Sequence, residues 1–544
     1  MAGCTLLAAS LAFAGDWSNS GGNAARNGLS DEHGPQTPAL LWRSVRGAMF
    51  GHQPVTEGHR AFGVRILSFP PETTGSPVVA LDLDTGAELW ATHLPYEEGD
   101  WSTWVGGVAN GQVYASRSGN GDSVWAKLYA LDAATGAVLW TSDEEITGND
   151  GEFVLAPDGD PVIASFTRIW RIEATTGATV WSAVRLGSVS GDCGPAIFGE
   201  AVYVADWANG GQVIKRFDLA TGAFRYQSPQ MPGFTLQNHP FVGPDGTVYL
   251  SRTQGNAAND FLYAFRDTGS EFVQKWKVPA TSSAESELAV GPDGSVYMFA
   301  PGWVLKRLSP ATGAVLNTSI PISTVGSSPR IAIDRDGRLF VNNSCGLTVD
   351  CGRLLSFNAN LTLRWSLEAW EVYGGGPALG EGGTLLIAGP EAITAYRTPY
   401  TYCTAKVSSI GCRPSILSSG TQPSASGATD FVVSCTNVVN ETNGLLFYGF
   451  GGEFAKPFQG GRLCIAGPLR RTQLVYAGGS GSPGTNCSGV FTFDFRAYVQ
   501  SGAGAPELRD PGTAVYCQWW GRAPGVPAPL ATQLSDALGF VIGP

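Results

Sequence analysis

Two short segments that alternate apolar and polar residues, joined by a Thr-Gly turn, recur along residues 40–400. The two-residue period of each segment is that of a β-strand, and glycine supplies the positive φ that a tight hairpin turn needs. A second pair of short apolar segments precedes the hairpins, as in residues 241–249 and 288–297. The pattern therefore predicts four strands in each repeat.

Each hairpin ends at an equivalent position that usually holds a large aromatic residue. This position recurs every 41–50 residues, at Trp42, Trp90, Trp140, Trp181, Tyr226, Trp276, Asn317 and Trp365. Four strands in a repeat of this length are typical of one blade of a β-propeller. The flat indole is suited to docking between adjacent sheets. We therefore expect an all-β protein whose main part is a β-propeller.

The two ends of the repeat region predict how the ring closes. Residues 40–42 supply an outermost strand with no hairpin partner before it, and residues 392–396 supply a third strand with no outermost strand after it. Pairing these two strands completes one more blade, which gives eight. Seven blades would follow if the weak repeat that ends at Asn317 were an insertion. We predict eight four-stranded blades.

The repeat that ends at Trp140, with the sequence Ala-Leu-Asp-Ala-Ala-Thr-Gly-Ala-Val-Leu-Trp, resembles the PQQ-like (pyrroloquinoline-quinone-like) β-propellers. Residues 16–31 also resemble the opening of secreted bacterial members. The resemblance covers about 360 residues. This family includes quinoprotein dehydrogenases and proteins that bind no quinone, such as outer-membrane assembly lipoproteins. The resemblance therefore implies the fold and leaves the chemistry open.

Composition and charge exclude several classes of protein. Charged residues make up 15% of the 544 residues, and the 72 glycines fit many turns better than long helices. The net charge of −12 argues against a nucleic-acid partner. Beyond residue 20 no apolar run is long enough to span a membrane. We expect no transmembrane span, and a monomer.

The N-terminal residues and the cysteines indicate an extracytoplasmic location. Residues 1–14 are predicted to be a signal peptide, because a short apolar stretch ends in Ala-Phe-Ala, although no basic residue precedes it. A lipoprotein box at Cys4 and a buried first strand are the alternatives. Residues 15–38 are then an N-terminal extension, residues 39–399 the propeller and residues 400–544 a second domain.

The C-terminal domain is predicted to be a small β-sandwich stapled by disulfides. It is rich in Gly, Ser and Pro, and its six cysteines could pair in 15 ways. Two more cysteines are close enough in sequence to staple one loop of the propeller. The disulfide candidates are Cys345, Cys351, Cys403, Cys412, Cys435, Cys464, Cys487 and Cys517.

One set of residues is the candidate ligand-binding site. The residue just before each innermost strand of a propeller tends to face the mouth of the central channel, and alignment of the repeats places a mixed polar and aromatic ring there. The candidates are Gln53, Trp104, Glu152, His239, Glu287 and Arg330, with Gly194 and Gly376 completing the ring. They could bind a small polar ligand or a peptide, or simply pair with one another and with water.

No catalytic or metal site is expected from the sequence. The run Asp334-Arg-Asp336-Gly337 lacks the remaining ligands of a calcium loop and is interpreted as a hairpin turn. No Gly-x-Ser-x-Gly motif of a serine hydrolase is present. A quinoprotein dehydrogenase would need calcium and a catalytic Asp, and many carry adjacent cysteines, which this chain lacks.

We therefore expect an exported, non-catalytic binding or scaffold protein without a cofactor, whose propeller binds a protein or a glycan at the cell surface. The alternative is an enzyme with its site in the propeller funnel. It would be either a PQQ-dependent dehydrogenase with calcium or a carbohydrate-active protein with paired carboxylates. A further alternative is a structural surface component that self-associates.

Overall fold

The structure is a computed structural model, and it describes most of the chain from residue 16 onwards. The described part is residues 16–543 without 45–48, 67–75, 98–99, 101, 119–123, 147, 149–152, 166, 186–193, 209–210, 232–238, 253–260, 281–287, 301, 323–326, 345–351, 370–374, 390–391, 482–483 and 526. The chain divides into two compact units. One comprises residues 1–33 and 42–395, and the other residues 34–41 and 396–544. The domain limits 39–399 and 400–544 remain our proposal.

The repeat region forms eight four-stranded antiparallel sheets, which are the blades of the propeller. Seven of them use four consecutive strands, numbered from the innermost outwards. Blade 1 consists of β2 (Met49–Glu57), β3 (Arg60–Ile66), β4 (Val78–Asp82) and β5 (Glu88–Thr92), and blade 2 of β6 (Ser102–Ala109), β7 (Gln112–Ser118), β8 (Ala126–Asp132) and β9 (Val138–Ile146). Blade 3 consists of β10 (Phe153–Leu155), β11 (Pro161–Ala164), β12 (Arg168–Ile172) and β13 (Thr179–Val184), and blade 4 of β14 (Ala196–Phe198), β15 (Ala201–Ala208), β16 (Gly211–Asp218) and β17 (Phe224–Gln227). Blade 5 consists of β18 (Phe241–Val242), β19 (Thr247–Arg252), β20 (Phe261–Asp267) and β21 (Phe272–Pro279). Blade 6 consists of β22 (Ala289–Val290), β23 (Val296–Ala300), β24 (Val304–Leu308) and β25 (Val315–Thr318), and blade 7 of β26 (Ser327–Ile333), β27 (Leu339–Ser344), β28 (Arg353–Phe357) and β29 (Leu363–Glu368).

The eighth blade joins the two ends of the repeat region. Its strand order is β1 (Leu40–Arg43), β32 (Ile393–Tyr396), β31 (Thr384–Ala388) and β30 (Ala378–Gly380). Next to this pairing, Ser44 and Ile393 exchange two hydrogen bonds of 3.0 Å, one from the backbone N–H of Ser44 and one from that of Ile393. The predicted closure and the count of eight blades are confirmed. The repeat that ends at Asn317 is blade 6 and not an insertion.

The Thr-Gly hairpin turn is held by a short network of its own side chains. In blade 1, Asp82 Oδ1 accepts hydrogen bonds from the backbone N–H and the hydroxyl of Thr85, each at 2.8 Å. Gly86 follows with a φ of 71° and donates its N–H to the Asp82 carbonyl. Asp132 and Asp218 hold their turns in the same way. The Asp, Thr and Gly of the repeat are therefore dictated by the turn.

At five of the interfaces between neighbouring blades, the repeated tryptophan joins one blade to the next. Its indole Nε1–H donates to a carbonyl at the hairpin turn of the following blade, at 2.9–3.1 Å; the pairs are Trp42–Leu83, Trp90–Ala133, Trp140–Ala174, Trp181–Leu219 and Trp276–Pro310. The turn glycine lies flat against the same indole. A Cβ placed on Gly86, for example, would lie 2.5 Å from Trp42 Cε3. The predicted docking of tryptophan between adjacent sheets is confirmed.

The C-terminal residues form a β-sandwich-like module, as predicted. Its larger sheet has the order β33 (Tyr400–Tyr402), β43 (Thr532–Val541), β42 (Ala514–Arg522), β36 (Asn443–Gly449) and β39 (Arg470–Arg471), with β40 (Val475–Tyr476) also paired to β36. The second sheet is β34 (Ser415–Ser419), β35 (Val432–Val438) and β41 (Gly489–Asp494), and a hairpin is formed by β37 (Glu453–Phe458) and β38 (Gly461–Ile465). One helix, α1 (Phe495–Ser501), begins at Asp494, whose Oδ1 accepts from Ala497 N at 2.8 Å. Apolar side chains of both sheets and α1 share one core.

Two disulfides staple this module, and two of the predicted disulfide cysteines are free. Cys403 is bonded to Cys464, and Cys412 to Cys487. The prediction is wrong for Cys435 in β35 and Cys517 in β42, which are buried thiols in the core between the sheets. Burial raises the pKa of both thiols, so neither is readily converted to the thiolate that disulfide formation requires. Cys345 and Cys351 lie outside the described residues.

Across the described ranges, no helix is long and apolar enough to span a membrane.

Candidate functional site

Residues 16–33, called the channel segment below, hydrogen-bond to the innermost strands of the propeller. Backbone carbonyls of the segment accept N–H bonds from six blades; the pairs are Trp17–Thr56, Ser18–Val108, Ala24–Ile197, Ala25–Val242, Asn27–Val290 and Gly28–Ile333, at 2.7–3.0 Å. Side chains reach the other two: Arg26 Nη1 donates to Phe153 O at 3.1 Å, and Ser30 Oγ to Leu379 O at 3.5 Å. Because innermost strands line the channel of a propeller, this segment occupies the channel and contacts all eight blades.

The structure brings three of the predicted site residues together against this segment. Gln53 Oε1 accepts from Gly21 N at 3.0 Å, and Arg330 Nη1 donates to Ser20 Oγ at 2.8 Å and to Gln53 Oε1 at 3.5 Å. His239 Nε2 lies 3.3 Å from Arg26 Nη2. Each of these three residues lies three positions before a residue whose backbone N–H donates to a carbonyl of the channel segment: Gln53 before Thr56, His239 before Val242 and Arg330 before Ile333. They therefore share one level of the channel, beside residues 20–26.

The other predicted residues lie elsewhere or outside the described part. Trp104 is fully buried, its Nε1 donates to Arg117 O at 3.0 Å, and its ring packs against Phe153 of the next blade. These are contacts of packing between blades. Glu152 and Glu287 lie outside the described residues, so their part in the ring stays a prediction.

His239 is held as a neutral imidazole with an unused donor. It is 8% exposed, and burial together with the positive charges of Arg26 and Arg330 holds its pKa well below the usual range. A guanidinium can only donate, so Nε2 accepts from Arg26 and the ring proton is on Nδ1. Within the described residues Nδ1 has no hydrogen-bond partner. A buried N–H of this kind points to a missing acceptor.

Asn342 is a second buried polar group without a partner. It is the cross-strand neighbour of Arg330 in blade 7, and its side chain is fully buried. Neither its Oδ1 nor its Nδ2 has a hydrogen-bond partner in the described part of the chain. Leaving such an amide unpaired costs about 1–3 kcal/mol. Cross-strand partners project to the same face of a sheet, so this amide lies on the face from which Arg330 reaches the channel segment.

A cavity of about 690 Å³ lies on the other side of the channel segment, where the first turns of the blades converge. Its lining includes the carboxylates Asp16, Asp31 and Glu57, the guanidinium of Arg335 and the apolar side chains Leu29 and Leu155. Burial, with smaller effects from Glu57, Glu381 and Asp31, raises the pKa of Asp16 to about 7. Burial, followed by the charges of Asp31 and Glu381, also raises the pKa of Glu32 to about 7. This end of the channel is acidic and does not suit an anionic ligand.

The described residues contain no group of three His, Cys, Asp or Glu side chains that could hold a metal ion. Asp334–Gly337 forms the turn between β26 and β27, with Gly337 N donating to Asp334 O.

Arg26 and Asn342 are the site residues that the sequence analysis missed. Arg26 is a single basic residue among small ones in Asn-Ala-Ala-Arg-Asn-Gly, and the opening segment carries no repeat that would align it with the ring. Asn342 stands in the second strand of its blade, where the repeat predicts packing residues. Only the buried position of Arg26, 1% exposed in an otherwise polar segment, distinguishes it.

Comparison with known proteins confirms that the repeats resemble those of the PQQ-like propellers. Residues 74–319 match the family model described as outer membrane protein assembly factor BamB, which consists of PQQ-type repeats. The repeats are PQQ-like. A curated relative of the PQQ-like propeller, the dehydrogenase subunit of alcohol dehydrogenase (quinone) from Gluconobacter oxydans (strain 621H), is 27% identical over 201 residues. The match covers 32% of this chain and 24% of the relative, so this chain spans about a quarter of the length of that protein.

Solved structures similar to the PQQ-like propeller include a europium-containing methanol dehydrogenase, with 16% identity and a TM-score of 0.49 over 69% of this chain and 89% of that one. The quinohemoprotein alcohol dehydrogenase from Comamonas testosteroni has 13% identity and a TM-score of 0.48 over 72% and 83%. BamB from Moraxella catarrhalis has 16% identity and a TM-score of 0.38 over 55% and 80%.

The expectation of a non-catalytic scaffold without a cofactor is wrong. The finding that overturns it is the match to a quinone-dependent alcohol dehydrogenase subunit. The expectation rested on the lack of adjacent cysteines, which many but not all quinoprotein dehydrogenases carry. The unpaired polar atoms of His239 and Asn342 could not enter that expectation, because only the structure shows them.

Proposed function

We propose that this chain is a quinoprotein that binds PQQ in the propeller channel and oxidises an alcohol. The observation that carries the proposal is two buried polar groups without a partner among the described residues: Nδ1 of His239, beside Arg26, and the side-chain amide of Asn342, the cross-strand neighbour of Arg330. The 27% identity to a quinone alcohol dehydrogenase subunit supports the choice of cofactor. Since the match covers about a quarter of that relative, the activity of the whole protein is part of the proposal.

The residues present fit the chemistry of PQQ, which carries three carboxylates and an ortho-quinone on a flat ring system. A polycarboxylate needs charged and neutral donors, and guanidinium groups are the preferred partners of carboxylates. Arg330 supplies a guanidinium group, His239 an Nδ1–H and Asn342 an amide, while the buried guanidinium of Arg26 adds positive charge beside His239. The acidic cavity on the other side of the channel segment would repel the same ligand.

Each of these residues has a defined role in the proposed site. Arg330 would bind a carboxylate while Ser20 and Gln53 fix the direction of its guanidinium. His239 would donate from Nδ1 and would not accept a proton, because its Nε2 lone pair already accepts from Arg26. Burial of His239 and Asn342 excludes water and strengthens these bonds. When bound, PQQ would supply the quinone that accepts two electrons from the alcohol.

A quinoprotein of this class also uses a metal ion, and the described residues contain no group of three His, Cys, Asp or Glu side chains that could hold one. We therefore assign no metal ligand. Glu152 and Glu287 of the predicted ring are the carboxylates to test first. We further propose that the chain acts outside the cytoplasm, which is consistent with the two disulfides of the C-terminal module.

The test is calorimetric titration of the full chain with PQQ in the presence of calcium, followed by a dye-linked assay with simple primary alcohols. We expect one PQQ per chain and turnover of at least one alcohol. Arg330→Gln should weaken PQQ binding by about tenfold or more, because a charged hydrogen bond is lost. His93→Gln is the matched control, since His93 is an exposed histidine outside the channel.

The absence of PQQ binding with calcium, and again with a lanthanide ion, would contradict the proposal. Binding that Arg330→Gln leaves unchanged would show that the site is not in this part of the channel.

A further inference from the structure

The backbone of the channel segment is held in place both before and after Arg26. Carbonyls of its neighbours Ala24, Ala25 and Asn27 accept backbone bonds from the innermost strands of blades 4, 5 and 6. Its own Nη1 donates to Phe153 O in blade 3 at 3.1 Å. The side chain is 1% exposed. Arg26 is therefore presented to His239 by a backbone that three blades hold in place, and its guanidinium is fixed by a fourth blade.

The contact between Arg26 and His239 determines which ring nitrogen carries the proton. All polar atoms of a guanidinium are donors, so the 3.3 Å contact from Arg26 Nη2 requires a lone pair on Nε2. Protonation of that nitrogen would place an imidazolium against the guanidinium. Among the described residues, the charged groups that act on His239 are Arg26 from the channel segment and Arg330 from blade 7, and both oppose a positive imidazole. The ring of Phe241 packs edge-on against it and offers no acceptor.

We propose that Arg26 is a positioning residue that holds His239 as the Nδ1–H tautomer, so that the channel presents a neutral donor to an oxygen atom of its ligand. The ligand class is a carboxylate or a carbonyl. Only the identity of that ligand as PQQ rests on the proposed function; the tautomer is a property of the chain itself.

A fixed neutral donor differs from a histidine that exchanges protons. With Nε2 engaged, His239 can neither accept a proton from a substrate nor change tautomer without breaking its contact to Arg26. The hydrogen bond that one ring nitrogen of a histidine makes commonly determines whether the other nitrogen carries the proton. Here the partner of Nε2 is Arg26 of the channel segment, so the binding site includes a residue that lies outside the repeats.

The test is ¹⁵N spectroscopy of the full chain labelled at histidine, without added ligand, between about pH 5 and pH 8. His239→Gln identifies the signals of His239, and the four other histidines of the chain serve as internal references. We expect a protonated Nδ1 and an unprotonated Nε2 that do not change over this range. Arg26→Met should release the tautomer and allow the ring to take up a proton, while Arg26→Lys, which keeps a cationic donor, should restore the wild-type signals.

Arg335→Met is the matched control, because Arg335 lies on the acidic side of the channel segment. It should leave the His239 signals unchanged. A proton on Nε2, or titration of His239 in the wild-type chain, would overturn the proposal even if Arg26→Met does not fold. Retention of the tautomer in folded Arg26→Met would overturn it as well.

Addition of PQQ separates this inference from the proposed function. If PQQ does not bind and the tautomer depends on Arg26, the quinoprotein proposal fails and the positioning role stands. If PQQ binds and the Nδ1 signal of His239 does not move, the role of His239 as a donor to the ligand is overturned.

Discussion

Trp17 and Thr56 are joined by two hydrogen bonds of opposite direction. The backbone N–H of Trp17 donates to Thr56 Oγ1 at 2.9 Å, and the backbone N–H of Thr56 donates to Trp17 O at 3.0 Å. Trp17 is fully buried, and Thr56 lies in the innermost strand of blade 1. This pair attaches the beginning of the channel segment to the blade that begins the ring, and the further bonds of the segment extend to the other seven blades.

Thr56→Val should destabilise the propeller. The substitution removes the acceptor of Trp17 N and leaves a buried N–H unpaired, which costs about 1–3 kcal/mol. The melting temperature of the propeller, followed by calorimetry, should fall. Thr318→Val is the control, because Thr318 is exposed on an outermost strand. Equal melting temperatures for the two variants would show that this bond contributes no stability.

Gly177→Ala should be more harmful than Gly199→Ala, although both glycines have positive φ, 77° and 57°. Positive φ alone costs an alanine about 1–2 kcal/mol. A Cβ on Gly177 would also lie 2.5 Å from Trp140 Cε3, whereas nothing lies within 4 Å of one on Gly199. The clash adds about 1–3 kcal/mol, and denaturant unfolding of both variants measures the difference. Equal losses would contradict the proposed contact between indole and turn.

Asn342→Leu should stabilise the ligand-free protein and weaken PQQ binding. Leucine is close to asparagine in shape and removes two buried polar atoms that have no partner, which relieves about 1–3 kcal/mol. The melting temperature without ligand and the Kd for PQQ are the two measurements. A residue that serves only packing would not give this opposite pair of effects. A loss of stability with unchanged PQQ affinity would show that the amide has no ligand role.

Asp16→Asn should stabilise the protein only at neutral and higher pH. The pKa of Asp16 is raised from 3.8 to about 7 on folding, so the folded state holds a proton that the unfolded state has lost between these values. Wild-type stability therefore falls as the pH rises from about 4 to about 7 and then levels off. The gain from Asp16→Asn should be absent near pH 4 and full near pH 8, as measured by thermal unfolding.

Asp218→Asn is a control of opposite sign. Hydrogen bonds from Arg225 and Thr221 hold the pKa of Asp218 at about 2, so this substitution should cost stability at pH 8 and become neutral near pH 2. If Asp16→Asn shows the same gain at every pH, its carboxylate is not the group whose ionisation is suppressed.

The repeats made the propeller predictable in detail. The Asp, Thr and Gly of each hairpin make their own turn, and the following Trp docks on the next turn, so local sequence and neighbouring contacts agree. Closure of the eighth blade followed from two unpaired strands at the ends of the repeat region. These features depend on residues close in sequence or one repeat apart, and a repeat displays such relationships directly.

The sequence by itself determined the class of fold, the eight blades, the tryptophan docking and the presence of a disulfide-stapled module. The tertiary structure decided what fills the channel, because residues 16–33 meet six of the eight blades through backbone carbonyls, which any sequence possesses. It also decided that Trp104 packs between blades and that Cys435 and Cys517 remain thiols, since both outcomes depend on which face of a strand is covered. The pairing of Arg26 with His239, 213 residues apart, arises only when the ring closes around the segment.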